Sequence, residues 1–173
     1  MPADCELVRE WRRDEAGRGV VVVNTTFRMA PWADALYAGD VEWWRRYLDE
    51  VARTFDGRNY TVSPVKGPER LVLYHGGNSG IGAISLAQRF GARRIVLLGY
   101  DCKYGVDGKR HWHGDHPPGL GNAVSVTKWP EQFREAAQRW RGIEIVNASR
   151  DTALTVWPRA PLEEALGYGV SGR

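Results

Sequence analysis

Apolar positions along this chain alternate between two patterns, short unbroken runs and residues three or four apart. The runs Val20–Val23 and Ile95–Leu98 have the continuous apolar character of parallel strands buried on both faces. Asp34–Ala38, Tyr60–Val62, Leu71–Tyr74 and Ile143–Asn147 read as further strands. Helical spacing predicts helices over Asp4–Asp14, with Leu7, Val8 and Trp11 on one face, over Val41–Phe55, over Trp129–Trp140 and, briefly, over Leu162–Leu166. Strands alternating with helices predict an α/β fold with a mostly parallel sheet.

The stretch Tyr74–Asp101 is the hub of that pattern. Gly76, Gly77, Gly80 and Gly82 crowd a turn, where backbone without Cβ lets a ligand come close. Ser79 is placed to cap the helix that follows, and Asn78 competes for that role. Ile81, Ile84, Ala87 and Phe90 mark its apolar face, and Gly91 stands where a left-handed residue ends a helix. A helix opened by small residues offers free N–H groups and the positive end of its dipole, which suits phosphate. The plainer alternative is a tight turn that binds nothing. Asn24-Thr25-Thr26 and Gly99-Tyr100-Asp101 are polar exits from apolar runs, and such strand ends carry the ligand-facing residues of open α/β sheets.

Length and composition narrow the class. A chain of 173 residues is read as one domain with its own core. No apolar run approaches a membrane span, no signal peptide opens the chain, and two cysteines (Cys5 and Cys102) make no disulfide framework. The expected setting is therefore cytoplasmic. A net charge of +3, spread over short pairs such as Arg12-Arg13 and Arg93-Arg94, describes a solvated surface rather than a nucleic-acid stripe. The eight tryptophans read mainly as core and rim packing, with stacking on a base or sugar as the alternative.

The densest chemistry is His111-Trp112-His113-Gly114-Asp115-His116-Pro117, within a long polar loop from Lys103 to Lys128. Its H-x-H-x-D-H spacing matches a hydrolase zinc site, but no histidine follows His116 to complete a dinuclear centre. Three further readings stand: a single divalent ion such as magnesium on Asp101 or Asp115, an acid–base histidine beside a bound phosphate, and a surface loop without catalytic duty. A Walker loop, a complete G-x-G-x-x-G with its ribose acid, and a G-x-S-x-G elbow are all absent from the sequence.

Val21–Phe27, Ala33–Asp40, Gly77–Gly80, Leu98–Asp101, His111–Pro117 and Val146–Ser149 come in an order that resembles phage and prophage proteins of the MptE-like family. That family is named for the archaeal hydroxymethylpterin diphosphokinase. In layout the chain is also distantly similar to bacterial sialyltransferases that use CMP-sialic acid. The resemblance implies a Rossmann-like sheet with helices on both faces and a nucleotide or nucleotide sugar, ATP-like or CMP-like, at its carboxyl rim. By position, Asn24, Asp40, Gly77, Asn78, Ser79 and Gly80 resemble the nucleotide-binding set. His116, with His113 beside it, resembles the loop base, and Asp101 the strand-end acid. The family's opening strand and G-x-G-P-S-L-type loop have no counterpart, since Met1–Asp4 corresponds to residues just after them. The expectation is a shortened domain in which Val20–Val23 is a sheet edge open to self-association.

Together these readings lead to a nucleotide-dependent transferase of diphosphoryl or glycosyl groups. Two alternatives stand beside it, a non-catalytic nucleotide-binding module and a zinc-dependent hydrolase.

Overall fold

A computed structural model describes residues 2–104 and 125–168. They form helices and parallel strands gathered into two compact units, Met1–Phe90 and Gly91–Arg173.

In the first unit, helix α1 (Pro2–Asp14) precedes strand β1 (Val21–Val23). Strand β2 (Ala35–Tyr37), helix α2 (Val41–Thr54), strands β3 (Arg58–Thr61) and β4 (Glu69–Arg70), and helix α3 (Ser79–Arg89) follow. The four strands lie parallel in the order β1-β2-β3-β4, with Val22 opposite Leu36 and Leu36 opposite Asn59. β1 thus ends the order of this sheet, where an exposed edge was expected.

Alternation along the strands assigns the two faces. Ala35, Tyr37 and Tyr60 face α3 and pack on Ala83 and Leu86, with Val21, Val23, Leu71 and Leu73 around them. Ile81, Ile84 and Leu86 of α3 are fully enclosed, each contributing about 1.5–3 kcal/mol of apolar burial. The spacing of Trp43, Trp44, Tyr47 and Val51 gives α2 its buried stripe. Trp44 donates its indole N–H to the Ala38 carbonyl at 3.0 Å. A single 3₁₀ segment, Asn24–Arg28, connects β1 towards β2. Its Phe27 meets Trp43 edge-on at 6.1 Å and Phe55 at 6.5 Å.

In the second unit, strand β5 (Arg94–Leu97) pairs in parallel with β6 (Glu144–Asn147). Helix α4 (Trp129–Ala137) lies between them in sequence, and helix α5 (Leu162–Ala165) comes last. Phe133 of α4 packs against Tyr100, just beyond β5, and against Trp157.

Two expectations need correction. Leu71–Tyr74 is not a strand: the ladder lies two residues earlier, at Glu69–Arg70, and closes with the Leu71 amide on the Thr61 carbonyl at 2.8 Å. The turn expected to hold Gly76, Gly77, Gly80 and Gly82 keeps only the first two, because Gly80 and Gly82 lie inside α3. Gly91, by contrast, follows α3 with a left-handed φ of +87°, as expected.

Candidate functional site

The richest polar junction of the first unit is where the carboxyl end of β2 meets the start of α3. β2 delivers Ala38-Gly39-Asp40, and the Tyr74–Asn78 segment delivers the turn into the helix. Gly76 and Gly77 both carry left-handed φ values, +56° and +85°, which glycine adopts without strain. The cap of α3 is Asn78, not Ser79: the Asn78 Oδ1 accepts the Ile81 amide at 3.0 Å. Ser79 is turned elsewhere and accepts the Gly39 amide on its Oγ at 3.2 Å. The Gly39 carbonyl receives the Ser63 hydroxyl, from just beyond β3. Three successive segments therefore converge on one glycine.

Over that glycine lies an imidazole. A Cβ at position 39 would stand 2.3 Å from His75 Cε1, so only glycine leaves room for the ring. His75 Nδ1 is 3.0 Å from the Tyr37 hydroxyl, which anchors it from the last residue of β2. Burial, opposed by the charge of Asp40, lowers the His75 pKa and keeps the ring neutral near pH 7. Burial, reinforced by Asp40, pushes the Tyr37 phenol well up. Asp40 itself is exposed at the N-cap position of α2 and makes no capping hydrogen bond there.

On the neighbouring strand, Asn24 directly follows Val23, which is paired with Tyr37. Its φ of +49° is left-handed, a conformation that asparagine tolerates better than most residues. Its side-chain carbonyl oxygen is buried and has no hydrogen-bond partner among the described residues. An orphaned buried acceptor is costly, about 1–3 kcal/mol, unless something donates to it.

Of the residues expected at the site, Asn24, Asp40, Gly77, Asn78, Ser79 and Gly80 all belong to this first unit, at the strand ends and the α3 turn. Asp101 belongs to the second unit, beyond β5. It lies at the surface, where partial burial and then the charge of Asp151 push its carboxyl up, against the opposing pull of Lys103. His113, Asp115 and His116 lie outside the described residues. Among the described residues no cluster of three or more His, Cys, Asp or Glu side chains could hold a metal ion, and no helix is long and apolar enough to cross a membrane.

The Val146–Ser149 block has a structural role. Asn147 is fully buried and donates to Thr152 Oγ1 and the Leu154 carbonyl, both at 3.3 Å, while its Oδ1 accepts the Ser149 amide at 3.0 Å. Ser149 Oγ in turn accepts the Tyr100 amide at 2.7 Å, tying the ends of β5 and β6 together.

Sequence reasoning passed over Tyr37 and His75. Their signals were a tyrosine closing a strand just before Gly39 and a histidine leading directly into a Gly-Gly turn. No protein-family model, curated protein or solved structure matches the chain.

Proposed function

We propose that the chain is a nucleotide-binding transferase with a Rossmann-like arrangement, moving a diphosphoryl or glycosyl group from a nucleotide held at the carboxyl rim of its parallel strands. The observation that carries this reading is the junction of Gly39 with Ser79, which fixes a strand end against the first turn of an eleven-residue helix. Phosphate suits that helix end, where the dipole is positive and the entering Gly76-Gly77 turn has no side chains in the way. The orphaned carbonyl of Asn24 supports the same reading, because ribose hydroxyls and the exocyclic amines of bases are donors. Ser79, Asn78 and Ser63 then hold the rim in shape rather than react.

The test is thermal unfolding of the full chain against ATP, CTP, CMP and nucleotide sugars, with and without magnesium. A ligand at about 100 times its Kd adds about 2.7 kcal/mol of stability, and a rise in Tm with one of these nucleotides is the expected result. Gly80→Val, which puts a branched side chain in the first turn of α3, should remove that rise. A melting curve that no nucleotide shifts would end the proposal.

A further inference from the structure

The geometry points to His75 as the side chain that meets the ligand, its Nε2–H donating to a phosphoryl oxygen of a nucleotide seated beside the first turn of α3. The inference rests on the nucleotide-binding reading above and deepens it by naming the group that reads the phosphate.

Three observations carry it. Tyr37 occupies Nδ1 at 3.0 Å and so fixes the plane and direction of the ring. The edge of the ring lies over Gly39, where a Cβ would come within 2.3 Å of Cε1 and 2.8 Å of Nε2, so the backbone is shaped to admit an imidazole at this place. Among the described residues, Nε2 makes no hydrogen bond. The imidazole is half-buried, anchored at one nitrogen and unpaired at the other.

The proton inventory is consistent with this. The Tyr37 hydroxyl is fully buried and Nδ1 is its one hydrogen-bond partner among the described residues, so it donates to Nδ1, which leaves the single proton of a neutral imidazole on Nε2. That nitrogen is then a donor, and the oxygens of a phosphate are acceptors. Tyr37 is a positioning residue in this scheme, setting both orientation and tautomer.

Calorimetric titration of the full chain with ATP, CMP and inorganic pyrophosphate tests the inference, alongside ¹⁵N spectra of the histidine side chains. Wild type should bind at least one nucleotide more tightly than pyrophosphate, with the His75 Nε2 resonance moving on saturation. His75→Ala should weaken binding about ten- to a hundredfold, the range for a hydrogen bond to a charged group. His75→Gln, which retains a donor, should recover part of that loss. Tyr37→Phe should shift the Nδ1 resonance in the free protein. Far-UV circular dichroism establishes that each variant is folded, and the wild-type resonances carry the test should His75→Ala fail to fold. Wild type that binds while both His75 variants bind equally well, or an Nε2 resonance that stays still at saturation, overturns the role of His75 alone. Pyrophosphate binding as tightly as the nucleotides overturns the nucleotide as its source. Wild type binding none of the three overturns the nucleotide reading and the role of His75 with it.

Discussion

At Gly39 a single hydrogen atom decides what the neighbouring histidine can do. Gly39→Ala would drive a methyl group into the imidazole edge and off the Tyr37 hydroxyl. The expected cost is about 1–3 kcal/mol, the usual price of overpacking, read as a lower denaturation midpoint. An unchanged midpoint would mean that the ring swings away freely. Asn78 and Ser79 can be separated in the same region. Asn78→Ala should cost about 1 kcal/mol and speed hydrogen exchange at the Ile81 amide, whereas Ser79→Ala should speed exchange at Gly39. The reverse pattern would restore Ser79 as the cap. From sequence Ser79 was favoured with Asn78 as its rival, because both side chains accept a helix amide well. What separates them is the position of β2, a long-range contact that no local pattern encodes.

Among elements, α1 is fastened to the sheet by charge. Asp34 accepts the Val20 amide at 2.8 Å and the Arg12 guanidinium at 2.9 Å, so one carboxylate joins the helix to the entrances of β1 and β2. Partial burial works against that charge, but the Arg12 and Val20 hydrogen bonds outweigh it and hold the carboxyl below its ordinary value of 3.8. A depressed folded pKa stabilises the protein at pH values above 3.8 and ceases to do so as acid carries the pH down through the folded value. Acid titration should therefore show a loss of stability beginning near pH 3.8 that is smaller in Asp34→Asn, a variant already weaker at neutral pH. Identical acid profiles would remove the link. The misplaced β4 is also explained at this scale. Leu71 and Leu73 pack inward while Val72 is fully exposed, the alternation of a strand in a segment that merely runs extended beneath α3. The true ladder residues, Glu69 and Arg70, are exposed and charged, so their composition resembles a loop. The runs Val20–Val23 and Ile95–Leu98 were legible as strands from their unbroken apolar character, although only Val22, Ile95 and Leu97 in them are buried and β1 ends its sheet.

For the molecule as a whole, the expected nucleotide-binding residues share the first unit, whereas Asp101 belongs to the second. This division predicts separable effects. Asp101→Asn should leave nucleotide affinity, measured by calorimetric titration, unchanged. A loss of affinity would overturn that separation. Sequence order could list these residues but not group them, since parallel sheets bring together segments separated by whole helices. Gly39 meets Ser79 only once α3 lies against β2, and Asn24 reaches the neighbouring strand end only through the β1–β2 pairing. The hydrogen bond between Gly39 and Ser79 has one more implication. The amide already has an acceptor, so an incoming oxyanion that claims it must evict the serine hydroxyl. Occupancy there would be a substitution, with the displaced hydroxyl swinging round to greet the newcomer, and the net gain would be the difference between two partners rather than the strength of one.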